Sequence, residues 1–242
     1  MNSLSTSQFA GLALMVGMIL VFIATLFSPG GVLIDSVQQS DFLALLNVWK
    51  ESDSLTHVTG IITMLGIILM AFGLWSLLRL PRKPGLADMA LRVGVGITIF
   101  AWGIYIIEMG MRHMAIHVIT HGVYPGMDQA TRDDVGLTLL AATVGVHFGF
   151  LALGSVASIL VGLGVAVRFQ EFNLFVLAGY GLALKGVAEV INLVLIQHLH
   201  DVDFGVLLSI SNLLLSLGGV WLIIIGYGIF HKKHELVPEG ED

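Results

Sequence analysis

Six stretches of the chain, roughly 9–27, 58–78, 89–109, 135–167, 172–196 and 204–230, are almost continuously apolar. A bilayer core of ~30 Å asks for about 20 such residues per helix, and each stretch meets that length. Outer-membrane strands would instead alternate apolar and polar residues over ~10 positions, which these runs do not do. The expected fold class is an all-α integral membrane protein, one bundle of six transmembrane helices occupying residues 1–242 as a single domain. Composition supports this. Only 12% of the 242 residues are charged and 56% are hydrophobic, with a mean hydropathy of +0.93. A soluble domain carries about 25% charged residues.

The first run lacks the basic start, short apolar core and small-residue cleavage site of a signal peptide before Pro29-Gly30-Gly31, and reads as a retained helix. Orientation follows the basic residues of short loops. Arg79, Arg82, Lys83 and Arg92 join runs two and three, Arg168 joins four and five, and Lys232 and Lys233 follow six. The opposite side holds Lys50, Arg112 and Arg132 among many acids, including Asp35, Asp41, Asp128, Asp201 and Asp203. Both termini are therefore expected in the cytoplasm, across a prokaryotic inner membrane. The acidic tail from Glu235 to Asp242 reads as a solvated end.

Two long loops, 28–56 and 110–134, would face outward. Asp41 to Trp49 reads as an amphipathic interfacial helix with Trp49 as its anchor. A weak parallel repeat is visible. His57 to Arg79 and His147 to Arg168 have nearly the same spacing, and the helices that follow carry Glu108 and Glu189. Repeat units would then be helices two–three and four–five. Glycines at 96, 103 and 110, at 145 and 149, and at 219 and 226 are expected to let helices approach closely.

Ionisable groups inside spans are costly unless paired or solvated, so they mark candidate sites. At ~1.5 Å per residue, Glu108 lies ~9 Å outward of the midplane, Glu189 ~7 Å and His147 ~6 Å, with Lys185 at the centre. Lys185 and Glu189 are four apart and share a helix face, joined there by Asn192. Glu108 and Arg112 repeat that spacing. A retinal Schiff base on Lys185 fits poorly with six helices.

Seven of nine histidines fall in the outer half or outer loops: His57, His113, His117, His121, His147, His198 and His200. His113, His117 and His121 recur one turn apart, preceded by Met109. Imidazole with thioether suits copper, and His57 with His113 or His117 would supply an axial pair for haem b. The candidate ligands are thus His113, His117, His57, His147 and Met109, with Glu108 and Glu189 orienting them. No cytoplasmic-side histidine supports a second haem, so a two-haem cytochrome fits the helix count and not the histidines. An acidic balance, 11 basic against 17 acidic residues, argues against nucleic acid. Cysteine is absent, and no nucleophile, Walker or HExxH motif is present.

Three functions remain open on the sequence. One is a small redox-associated, metal- or haem-binding membrane subunit. The second is a proton- or ion-coupled transporter using Lys185, Glu189, Glu108 and His147. The third is a structural accessory subunit, whose partners beyond the lipid bilayer would be other membrane subunits or copies of itself.

Overall fold

A computed structural model describes residues 4–82, 84–198 and 203–238; Lys83, His200, Asp201 and the last four residues of the acidic tail lie outside the described residues. The chain is all-helical: α1 (Thr6–Leu26), α2 (Phe42–Glu51), α3 (Asp53–Trp75, continued by a 3-10 turn at Ser76–Arg79), α4 (Leu86–His121), α5 (Gln129–Ala166), α6 (Leu174–His198) and α7 (Phe204–Phe230). All except α2 are long and apolar enough to cross a membrane, which makes this a polytopic membrane protein.

Local chemistry sets the helix ends. Ser5 and Gln8 form a reciprocal capping box at the start of α1. Asp41, Asp128 and Asp203 accept backbone N–H donors at the starts of α2, α5 and α7. α4 stops at Gly122, whose φ of 77° a side chain would resist. Both central helices outrun their apolar runs: α4 continues twelve residues past 109, to His121, and α5 begins at Gln129 rather than 135. Hydropathy marks the part of a helix in lipid, whereas capping and packing decide where the helix ends. At ~1.5 Å per residue these two helices are ~55 Å long and project well beyond a bilayer core.

The spanning helices close a ring in the order α1, α3, α4, α5, α6, α7 and back to α1, with the α4–α5 seam the most extensive and α3–α4 the least. Reciprocal glycines set the closest seams. A Cβ on Gly17 or Gly66 (α1/α3), on Gly11 or Gly226 (α1/α7), or on Gly162 or Gly179 (α5/α6) would strike backbone of the facing helix. Such small-residue contacts hold helices together where lipid removes the hydrophobic drive. Of the glycines singled out by spacing, only Gly226 makes such a contact with backbone. Gly219 meets the side chains of Met18 and Phe22, and Gly96, Gly103, Gly110, Gly145 and Gly149 face open space. A heptad spacing defines a face but not what covers it.

Helix α2 lies against α3, α4 and α5 at one end of the ring, hereafter the α2 end. Leu46 and Trp49 bury against Ile116, Ile119 and Leu140 in a small separate core. Trp49, expected as an interfacial anchor, is therefore buried. Its Nε1 donates to the Pro29 carbonyl at 3.1 Å, because the 28–41 loop folds back over it.

Candidate functional site

A ring of six helices leaves space along its axis unless large side chains fill it. Here a cavity of about 750 Å³ remains, lined by all six spanning helices, by α2 and by the 28–39 loop. This volume lies within the usual range for small-molecule sites. Along α3 it runs from Thr59 to Leu74, ~22 Å at the helical rise. Its walls are mostly aliphatic and aromatic, and most wall hydroxyls, among them Thr63, Thr143, Ser158 and Ser216, donate to carbonyls of their own helix.

Charged groups break this apolar surface in three layers. On α4 and α5, Glu108 Oε2 and His147 Nδ1 are 3.0 Å apart, both largely shielded. Tyr105 and Phe150 pack around the His147 ring. One turn toward the α2 end on α4 stands Arg112. It does not pair with Glu108, as its spacing had suggested. Its Nη2 donates to Ser28 Oγ at 2.7 Å and its guanidinium lies 4.0 Å over the Trp49 ring, because the returning loop brings both within reach. Arg112 thereby pins the loop that covers this end of the cavity. Gln38 to Asp203 (3.0 Å) and Asn212 to Gln39 (2.8 Å) tie the same loop to the start and middle of α7.

Lys185 and Glu189 of α6 form the third layer. Lys185 lines the cavity with its side chain only 6% exposed, and its Nζ stands 3.8 Å from Glu189 Oε2, beyond hydrogen-bond length. Glu189 is fully buried. Its Oε1 accepts from Ser211 Oγ at 2.7 Å, while Oε2 has no hydrogen-bond partner. Asn192 donates to Ser211 Oγ and to the Leu207 carbonyl, so it reaches Glu189 through Ser211 rather than directly. Hydropathy alone hid Ser211. A serine is cheap in a helix and drew no attention, although α7 carries Ser209, Ser211, Asn212 and Ser216 along a span of otherwise apolar residues.

The five candidate metal ligands go to four places. His57 and His113 meet at the α2 end of the α3–α4 seam, Nδ1 to Nδ1 2.9 Å. His117 is exposed and stacks on His121, ring centroids 5.0 Å apart. His147 is held by Glu108, and Met109 is buried on the cavity wall. Among the described residues no group of three or more His, Asp or Glu is placed to hold a metal ion. Imidazole nitrogens sit about 2 Å from a bound metal, so axial ligands on opposite faces of a haem stand about 4 Å apart. The His57–His113 separation is too short for that arrangement and fits a direct hydrogen bond between neutral rings.

Compared with known protein families, with curated proteins and with solved structures, the chain matches none.

Proposed function

We propose that this membrane protein is a small proton-coupled carrier, with the central cavity as its solute site and Glu108, His147, Lys185 and Glu189 as its ion path. The observation that carries this reading is the Glu108–His147 pair, 3.0 Å apart on the wall of a cavity that also holds Lys185. Histidine is a common proton shuttle, and an imidazole proton can be shared with the carboxylate beside it. Ionisable groups kept inside a bundle and facing a cavity are the usual components of proton relays. Together with the basic loops, this reading puts the α2 end outside and both termini in the cytoplasm of a prokaryotic inner membrane.

Proteoliposomes containing the full chain and a lumenal pH dye test it. A panel of organic anions, cations and neutral solutes is added outside, and lumenal acidification is followed. The expected result is acidification with one class, lost in Glu108→Gln and in His147→Ala. No proton movement with any class, or movement unchanged in both variants, overturns the reading.

A second reading, metal binding at the outer end, rests on the His57–His113 contact alone. These two nitrogens would offer a cis pair to copper, with the remaining ligands from solvent or a partner subunit. Stoichiometric copper retained after desalting, and lost in His57→Ala/His113→Ala, supports it. A metal-free preparation with no haem absorption after copper incubation and desalting overturns it.

A further inference from the structure

The hydrogen-bonding state of the cavity narrows the class of solute, and this step rests on the carrier reading above. Three formal charges line the cavity, Glu108, Lys185 and Arg112, and a fourth, Glu189, is buried beside Lys185. The carboxylate on the wall, Glu108, is held by His147; Glu189 accepts from Ser211 through one oxygen and leaves the other unpartnered, but it is fully buried and off the cavity wall. The two cations on the wall are less engaged. An ammonium carries three N–H donors and a guanidinium five. Among the described residues Lys185 makes no hydrogen bond, and its nearest carboxylate oxygen is 3.8 Å away. Arg112 makes one, to Ser28, and its buried Nε has no partner. The cavity is thus rich in unused donors and bounded by apolar walls. A cationic solute would find one carboxylate on the wall, Glu108, already paired with His147, and a neutral one would leave the Lys185 donors unmet in a low-dielectric space.

We infer that the cavity binds a small apolar monocarboxylate, an aryl or short acyl acid, with its carboxylate on Lys185 and its apolar body against the aromatic and aliphatic walls, and that one proton is taken up at the Glu108–His147 pair as it binds. Charge balance links the two events. With His147 neutral the four formal charges cancel, and a bound monoanion leaves one uncompensated negative charge inside the bilayer. A proton from bulk water restores neutrality by adding to Nε2 of His147, whose Nδ1–H donates to Glu108 Oε2. Only that N–H bond forms, and the acid is moved unchanged. Glu108 and Tyr105 of α4 stand against His147, Glu189 of α6 feels its charge, and Arg112 of α4 and Lys185 of α6 line the same cavity. Arg112, one turn nearer the α2 end, adds positive potential at that end of the cavity.

Equilibrium binding to the full chain in lipid nanodiscs tests this with three radiolabelled probes of one shape: benzoate, benzylamine and benzyl alcohol. Benzoate is expected to bind saturably, with affinity that falls as pH rises, by up to about tenfold per pH unit. Lys185→Met should weaken it at least tenfold with helicity and elution volume unchanged, and Lys185→Arg should restore part of it. His147→Gln should flatten the pH profile while benzoate still binds. No saturable benzoate binding, equal or tighter binding of benzylamine or benzyl alcohol, or indifference to Lys185→Met overturns the inference. Proton movement driven by a cation or a neutral solute in the proteoliposome assay would leave the carrier reading standing and remove this one alone.

Discussion

Two buried ionic clusters share a sequence spacing and differ in almost everything else. Asp88 and Arg92 stand four apart on α4, as Lys185 and Glu189 do on α6. At the first, both carboxylate oxygens of Asp88 are engaged, by Arg92 Nε at 2.8 Å and by Arg168 Nη2 at 2.6 Å. Arg92 then donates to the Leu78 and Leu80 carbonyls and Arg168 to that of Pro81, so the cluster fastens the end of the 3-10 turn to α4 and to the end of α5. At the second, one carboxylate oxygen is unpartnered, the ammonium makes no hydrogen bond, and the space beside it is a cavity. An i,i+4 pair in a span is therefore not one kind of object. A cluster whose carboxylate is saturated acts as a brace, even with Arg168 Nε left unpartnered among the described residues, whereas a pair with a free carboxylate oxygen and an ammonium facing a cavity has capacity left for a ligand.

The strongest way to break this contrast is Asp88→Ala. Removing the carboxylate leaves buried Arg168 without its counter-charge, and breaking a buried pair in this way costs about 3 kcal/mol or more. The thermal unfolding midpoint in detergent should fall markedly, while the protein that remains folded still binds benzoate. An unchanged midpoint would mean that Asp88 braces nothing.

The reciprocal experiment is Lys185→Met/Glu189→Leu. Replacing an under-satisfied buried ion pair by apolar residues of similar size is often neutral, or stabilising by about 1–4 kcal/mol. Stability is expected to hold or rise while proton-coupled movement disappears. A loss of stability on the scale of Asp88→Ala would make this pair a second brace and dissolve the distinction.

How the two clusters looked in the sequence explains what could be read there. The six spans were legible because lipid imposes a length and a polarity that few residues can violate. Lys185, Glu189, Glu108 and His147 were legible as a group, since each is expensive in a span and therefore conspicuous. Partner choice was not. Glu108 is equally four residues from Arg112 and, across a seam, beside His147; only the return of the 28–41 loop onto Arg112 decides between them. Asp88, near a helix start amid basic loop residues, looked like part of an ordinary charged connection. The cavity itself had no signature, because it is made by what six faces jointly fail to fill.

A neutral polar pair lies between these extremes. His57 and His113 join α3 to α4 at the thinnest seam of the ring by one contact of 2.9 Å. A typical intramolecular hydrogen bond contributes about 1 kcal/mol net. His113→Ala should therefore lower the unfolding midpoint by much less than Asp88→Ala and leave the Lys185 site binding its probe. A larger fall would show that this seam is held mainly by that contact.

The smallest effect belongs to a carboxylate that is saturated but not buried. Asp128 caps α5 in the loop outside the spans, accepting from the Thr131 backbone N–H at 2.8 Å and from its hydroxyl at 3.0 Å. These donors, the backbone one foremost, hold its carboxyl below the usual value for aspartate. A carboxyl whose pKa is lower folded than unfolded stabilises the fold above the ordinary aspartate pKa, about 3.9, and that contribution is lost as pH falls through the folded value. The gap in unfolding midpoint between the natural chain and Asp128→Ala should thus be small, constant through neutral pH, and shrink as the solution is acidified past that range. Asp128→Asn, which keeps an accepting oxygen, should sit closer to the natural chain. A gap as wide as that of Asp88→Ala would show that saturation alone makes a brace and that burial adds nothing.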